Sequence, residues 1–327
     1  MAVETVRWGI IGCGNVTEKK SGPGFQQATG SELVAVMRRD GGSAKDYARR
    51  HGVPKWFDRA DALIRDADVN AIYVATPPSF HKEYVLAAAA AGKAVYVEKP
   101  MALNYRECQE MIAACAEANV PLFVAYYRRA LPRFLKIKSL LDDGVIGAPR
   151  SVNVRFYETV SENDREGVPH WRVDPAISGG GYFVDLGSHT LDILQYYFGT
   201  ITSAVGVTAN QGHHYRAEDL VSAVFVFDSG VAGSGIWSFS AGENVDSLEI
   251  VGSAGTLTFS TFQNAPVTVR LGTTIQEFEI PHPPHIEQPL IQTIVDELRG
   301  KGRCPSTGGT GSMTDRAIDW ILGRQPA

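Results

Sequence analysis

Cysteine is scarce in this chain, four in 327 residues, and Cys13, Cys108, Cys115 and Cys304 show no CxxC spacing. That excludes a disulfide framework and a thiolate zinc site. Cys108 and Cys115, seven apart on one expected helix face, read as core thiols. Long hydrophobic runs are missing too: nothing approaches the ~20 apolar residues of a membrane span. The opening "MAVETVRWGIIGCGN" lacks the basic segment and apolar run of a secretion signal. A cytoplasmic protein that meets no membrane is the expectation. Basic charge is not in excess, since the formal net charge is -5, so nucleic acid and anionic lipid are not expected partners and small molecules are. Internal repeats and low-complexity stretches are absent. Two histidine groupings, "GHHYRAED" (212–219) and "PHPPHIE" (281–287), read as loops, and no metal is expected.

What is present is a soluble composition, 44% hydrophobic and 20% charged, in a chain long enough for two domains. The first third alternates short strand-like runs, "VRWGIIG", "ELVAVM", "AIYVAT" and "AVYVEK", with helical patterns such as "GGSAKDYARRHGV" and the alanine-rich "HKEYVLAAAAAGK". Strand, helix, strand repetition predicts a parallel sheet covered on both faces. From about residue 126 the pattern changes. After a helix "PRFLKIKSLLDDG" and a strand "SVNVRFYETV", long strands joined by glycine turns ("DSG", "SAG") predict an open, predominantly antiparallel sheet, with two helices near the end. The fold class is therefore α/β: a Rossmann-type dinucleotide-binding domain over 1–125 and an α+β domain over 126–327.

Three stretches carry chemistry. "GIIGCGNVT" sets Gly12 and Gly14 after the first strand, where a dinucleotide fold needs a tight turn and close backbone approach to pyrophosphate. Cys13, Asn15 and Val16 complete that turn, and the third glycine position is Thr17. The second strand ends "VMRRD": Arg38 and Arg39 favour the extra phosphate of NADP, while Asp40 leaves NAD open. At the carboxyl edge of the sheet, "ATPPSFH" places Thr76, Pro77 and His81, and "AVYVEKP" places Glu98 and Lys99, with Pro100 keeping the lysine extended. His81 reads first as a residue that begins the next helix. The third stretch, "GGGYFVDLGSHTLD" (179–192), spaces Asp185, His189 and Asp192 by four and three, so a helix there gives all three one face. That face either meets solvent or lines a site, and Asp192 reads as structural.

Together these stretches resemble the glucose-fructose oxidoreductase, inositol dehydrogenase and rhizopine-catabolism group of NAD(P)-dependent oxidoreductases, over nearly the whole chain. "EKP" and "DLGSHTLD" in one sequence are more specific than either alone. The resemblance implies that Lys99 is the active-site lysine, Asp185 the substrate-orienting acid and His189 the proton-transfer histidine. "HWR" looks like the family's Trp-Arg pair, so Trp171 and Arg172 are expected near cofactor or substrate. "AYYRRALP" is similar to the segment after the last Rossmann strand, making Tyr127 and Arg128 substrate-pocket candidates. The outer face of the second sheet is expected to make a homo-oligomer, a dimer or a tetramer.

The expected reaction moves a hydride between nicotinamide and a sugar, a polyol or a related cyclic hydroxy or keto compound. An imidazole, with an ordinary pKa of ~6.5, can take the hydroxyl proton near neutrality. A lysine ammonium can stabilise the developing oxyanion. Two alternatives stand beside this: a non-catalytic NAD(P)-binding regulator of the same fold, and chemistry on an aromatic diol or a tetrapyrrole.

Overall fold

The apolar runs of the first third form strands because each is short, rich in β-branched or aromatic residues, and closed by turn formers. In the computed structural model, which describes residues 3–324, they are β1 (Val6–Ile11), β2 (Ser31–Met37), β3 (Lys55–Phe57), β4 (Ala71–Val74), β5 (Ala94–Val97) and β6 (Leu122–Val124). The helices among them are α1 (Asn15–Lys19), α2 (Gly22–Gln27), α3 (Gly41–His51), α4 (Ala60–Arg65), α5 (His81–Ala90) and α6 (Tyr105–Glu117). All six strands pair in parallel, in the order β3-β2-β1-β4-β5-β6. The order reverses between β1 and β4, and ligands of such sheets bind beyond the carboxyl ends at that reversal. The expected parallel sheet is there, with β3 added. β3, Lys55–Phe57, lies outside the strand-like runs read from the sequence: it is short and opens on a lysine.

The two faces of this sheet differ in chemistry. Ile11, Ile72, Val74, Val95 and Val97 sit in one aliphatic cluster with Cys108, Met111 and Cys115 of α6. The opposite face is aromatic: Trp8 packs on Phe25 at 4.8 Å between ring centroids, and Tyr73 stacks on Tyr96 at 4.8 Å.

The second unit begins with α7 (Pro132–Asp142), β7 (Pro149–Tyr157), α8 (Glu162–Arg165), α9 (Pro175–Ser178) and α10 (Ser188–Phe198). Its remaining strands are β8 (Ile201–Ala209), β9 (Leu220–Phe227), β10 (Ala232–Ser238), β11 (Val245–Gly252), β12 (Thr256–Phe259), β13 (Val267–Leu271) and β14 (Thr274–Phe278). They form one sheet in the order β14-β13-β12-β11-β7-β10-β9-β8, antiparallel except where β7 meets β10. The expected open antiparallel sheet is thus present. Along β9, Val221, Ala223, Phe225 and Phe227 alternate inward, the period of a sheet with one buried face.

The chain ends with α11 (Gln288–Leu298) and α12 (Gly308–Ile321). Residues up to 102, 106–131 and 283–312 make the first compact unit; 103–105, 132–282 and 313 onward make the second. The first unit therefore takes back a late piece of chain, which brings α11 against α2 and the turn after β6. Among the described residues no helix is long and apolar enough to cross a membrane.

One local expectation is corrected. The stretch 183–192 is not one α-helix: Phe183–Gly187 forms a wider π-type turn, and α10 starts only at Ser188. The Phe183 ring lies across Gly187, where an added Cβ would come within 2.6 Å of it, so the wide turn depends on that glycine. Asp185 lies in the turn and His189 in the first turn of α10.

Candidate active site

At the end of β1, Gly12 has φ +93°, a conformation that side-chain-bearing residues rarely adopt. A Cβ there would also lie 2.9 Å from the Ala75 carbonyl oxygen, so the turn after β1 and the segment after β4 approach as closely as backbone allows. The Gly12 and Cys13 amides both donate to Met37 O, at 2.9 and 3.1 Å, which fixes the turn to the end of β2. Cys13 is buried, and burial pushes its thiol up to about 11. Over Gly14 there is room, since an added Cβ would meet nothing nearer than 3.8 Å.

Thr17, at the third glycine position, is fully buried. Its hydroxyl donates to Gly14 O at 2.8 Å, and its carbonyl accepts from the Tyr47 hydroxyl at 2.8 Å. The tight packing that a glycine usually gives has moved to Gly22, where a Cβ would fall 2.1 Å from Thr17 O.

Beside this turn lies a cleft of about 240 Å³ lined by Cys13, Glu18, Arg38, Gly42, Ser43, Asp46, Tyr47 and Arg50. Arg38 reaches it from the end of β2. Asp40 does not: it caps α3, accepting the Ser43 amide at 3.0 Å, and that bond holds its carboxyl below the ordinary value. Arg39 stands over the Phe80 ring at 5.5 Å. Arg50 pairs with Glu18 and with Asp46, each at 2.7 Å. The Arg50 hydrogen bonds, aided by His51, lower Glu18 to about 2.

Beyond β4, Thr76 and Pro77 lead into α5. His81 is fully buried, with Nε2 2.7 Å from Thr76 O and Nδ1 3.1 and 3.2 Å from the Pro100 and Met101 carbonyls. Both ring nitrogens thus face carbonyl oxygens, burial lowers the ring's pKa, and in the neutral form the one N–H donates on one side only. Beyond β5, Glu98 is buried and Lys99 half-buried, and the Lys99–Pro100 peptide is cis. Tyr127 and Arg128 sit on the short turn Tyr127–Ala130 after β6, both buried, with the guanidinium 5.0 Å from the tyrosine ring.

In the second unit, Trp171 and Arg172 share a one-turn helix, the guanidinium 4.5 Å from the indole. Arg172 Nε lies 3.2 Å from Asp185 Oδ2, so the structure brings the Trp-Arg pair and the acid together. His189 is buried, with the Phe262 ring edge-on at 5.8 Å. Phe262 is held in turn by Asp246, which accepts its amide at 2.7 Å and that of Thr261 at 2.8 Å. Asp192 is buried within α10, 3.5 Å from the Thr314 hydroxyl of α12.

Comparison with known proteins adds a second kind of observation. Residues 6–126 match the family model "Oxidoreductase family, NAD-binding Rossmann fold", and residues 134–258 match the "GFO/IDH/MocA C-terminal domain". Oxidoreductase P35 of Formosa agariphila is 41% identical over 97% of this chain and 98% of its own. The chain belongs to the Gfo/Idh/MocA family. Trans-1,2-dihydrobenzene-1,2-diol dehydrogenase of Bos taurus is 31% identical over 72% of this chain and 69% of its own. Among solved structures, aldose-aldose oxidoreductase from Caulobacter crescentus, complexed with glycerol, superposes with a TM-score of 0.85 at 25% identity, covering 98% of this chain and 97% of that one. As a Gfo/Idh/MocA oxidoreductase, the protein is an NAD(P)-dependent dehydrogenase or reductase.

The first unit fits that cofactor. The positive φ of Gly12, the open space over Gly14 and the arginine-lined cleft beside them suit a pyrophosphate followed by a nucleoside. Several residues of this Gfo/Idh/MocA chain were not singled out from the sequence. Ser43, Tyr47 and Arg50 line the cleft from a helix that shows only a helical pattern. Asp164 organises the second unit: its carboxylate meets His170 at 2.8 Å, the Ser161 hydroxyl at 2.5 Å and the Tyr182 hydroxyl at 2.9 Å. It thereby joins the loop before Trp171 to the glycine run before Asp185. Glu158, just after β7, is raised by burial and then by the charges of Asp185 and Asp246. Asp164 and His170 sit in "SENDREGVPH" (161–170), a polar segment with no pattern that marks such a group.

Proposed function

We propose that this Gfo/Idh/MocA oxidoreductase uses NADP to oxidise or reduce a carbinol or carbonyl carbon of a sugar, a polyol or a related cyclic compound. The observation that carries the reading is one short stretch, 185–189, that supplies an acid paired to Arg172 and a buried imidazole, in a chain that also keeps Lys99 at the carboxyl end of β5. A regulator that only binds cofactor needs none of these three together.

When bound, nicotinamide accepts or gives the hydride. His189 takes the hydroxyl proton in oxidation and returns it in reduction, a role typically worth ~10²–10⁴-fold. Lys99 donates a hydrogen bond to the substrate oxygen and stabilises its developing charge. Asp185, held by Arg172, accepts a bond from a substrate hydroxyl and orients it. Trp171 and Arg172 are assigned a contact with cofactor or substrate, and Tyr127 and Arg128 a contact with substrate. Glu158, half-buried and raised, adds an acceptor or donor for a second hydroxyl.

NADP is preferred because Arg38 reaches the cleft whereas Asp40 is engaged as a helix cap. A vicinal diol on a ring other than a sugar is the second reading, favoured by the likeness to the dihydrodiol dehydrogenase. The apolar outer face of β8, β9 and β10 is proposed to bind a second copy of the chain.

The test is a nicotinamide-absorbance screen of aldoses, polyols and cyclic diols with NADP and with NAD. On the best substrate, Lys99→Ala and His189→Ala should each abolish turnover, and His189→Ala should keep cofactor affinity within about twofold of the parent. Near-normal rates in the histidine variant would remove its role as proton carrier. Cofactor binding with no turnover on any substrate would favour the regulator.

A further inference from the structure

Two carboxyl groups and two tyrosines lie together beneath Lys99, inside the first unit, and none of them was assigned a role above beyond the cofactor contact expected of Glu98. The Tyr73 hydroxyl is 2.5 Å from Glu98 Oε1. Glu98 Oε2 accepts the backbone amide of Lys99 at 3.1 Å. Glu287 sends its side chain into the same layer, with Oε2 3.3 Å from the Tyr73 hydroxyl and 3.3 Å from that of Tyr96. Glu287 precedes α11 but its side chain caps nothing there. Both tyrosines are fully buried and Glu287 is 1% exposed.

Counting protons decides how this cluster is wired. Each hydroxyl has one proton to give. If Tyr73 gives its proton to Glu98, it can only accept from Glu287, so the Glu287 carboxyl must carry a proton. Tyr96 then donates to Glu287. The result is one chain, Tyr96 to Glu287 to Tyr73 to Glu98, with every buried group satisfied and a single negative charge on Glu98. An ionised Glu287 would leave two buried carboxylates competing for two hydroxyl protons, an arrangement low-dielectric surroundings penalise.

We propose that Glu287, as a neutral carboxylic acid, and Tyr73 are positioning residues for Lys99: they hold the Glu98 carboxylate, which holds the lysine's own backbone amide. The stretch from 98 to 101 is then fixed at two points, by Glu98 on one side and by the His81 ring on the carbonyls of Pro100 and Met101 on the other. Glu287 comes from the late segment that returns to the first unit, so that return supplies a part the parallel sheet lacks. The proposal rests on the catalytic role given to Lys99 above.

Burial, and then the Glu98 charge, raise Glu287 well above its ordinary 4.5, against a smaller opposing effect of Lys20. The groups that face it are Tyr73 on β4, Tyr96 and Glu98 on and after β5, and Lys20 after α1, with Cys304 beside Tyr96. A carboxyl raised on folding contributes stability that is fully present below 4.5 and is lost as pH climbs toward the folded value. Glu287→Gln keeps a donor and cannot ionise, so its stability should lack that decline.

The experiment compares the intact protein with Tyr73→Phe, Glu287→Gln and Glu287→Leu. It reads thermal stability against pH, hydrogen exchange of the peptide holding residues 98–101, and steady-state kinetics. Expected are a midpoint that falls above pH 4.5 in the parent relative to Glu287→Gln, and faster exchange in Tyr73→Phe and Glu287→Leu. In those two variants kcat should fall about tenfold with KM for cofactor within about twofold, whereas Glu287→Gln keeps both near the parent. Damage from Glu287→Gln equal to that from Glu287→Leu would overturn the neutral-acid assignment, and unchanged exchange in Tyr73→Phe would overturn the positioning role. Exchange is read without turnover, so a catalytically silent Lys99→Ala would remove the role given to the lysine while the exchange pattern still decides the network.

Discussion

Three residues at the end of β2 show how one side chain can be read correctly in kind and still need structure for its use. "RRD" offers two cations and one acid to a cofactor, and the sequence leaves both NADP and NAD open. The Asp40 carboxylate is engaged by the Ser43 amide at 3.0 Å, while Arg38 lines the cleft and Arg39 stands over Phe80. A carboxylate withdrawn into a helix cap is a poor acceptor for two ribose hydroxyls, and a free-reaching guanidinium suits a phosphate. Arg38→Ala should therefore weaken NADP by about tenfold or more and NAD by much less, a charge-assisted contact to phosphate being worth roughly 1.5–3 kcal/mol. Titration of nicotinamide fluorescence with each cofactor measures this, and equal losses would take the argument away from the arginine.

At the scale of elements, the departure at Thr17 has a structural counterpart that predicts a measurable cost. With threonine where a third glycine is usual, α1 closes on itself through the Thr17 hydroxyl, and α2 makes the close approach instead at Gly22. A methyl at Gly22 would meet backbone, Thr17 O at 2.1 Å, and the Tyr47 hydroxyl at 2.5 Å, neither of which can swing aside. Gly22→Ala should cost about 1–3 kcal/mol, in the range of other overpacked sites, and weaken cofactor binding because the turn from Gly12 must move with α1. A denaturant midpoint equal to the parent's would show that the helices shift freely. The strands and the motif positions were legible here because period and turn residues are local. The π-type turn at Phe183–Gly187 was not, because i, i+4 spacing looks the same in either helix and the close contact of the Phe183 ring with Gly187 leaves no mark in the residue pattern. Asp164 and Glu287 were illegible for a different reason: each is an ordinary polar residue until partners 18 and 214 positions away meet it.

For the molecule as a whole, the pattern change near residue 126 separated a parallel from an antiparallel sheet, but it could not show that 283–312 returns to the first unit, since nothing local marks which core a helix joins. The outer face of the second sheet leads to the remaining prediction. Antiparallel sheets with one solvated face usually turn polar residues outward. Here Val205 and Val207 on β8, Val224 and Val226 on β9, and Ile236 on β10 are 40–73% exposed, and Val205 stands directly opposite Val224 in the register. Contiguous apolar patches of this kind are uncommon on monomers. A closed two-fold dimer would cover the face with its own copy, and a self-complementary patch needs no second surface. If the face binds a second copy, the parent should sediment as a dimer and Val207→Glu combined with Val224→Glu as a monomer in sedimentation velocity. Because both side chains point away from the core, the variant should keep the parent's far-ultraviolet circular dichroism. A parent that sediments as a monomer at micromolar concentration would remove the second copy as the occupant of this face.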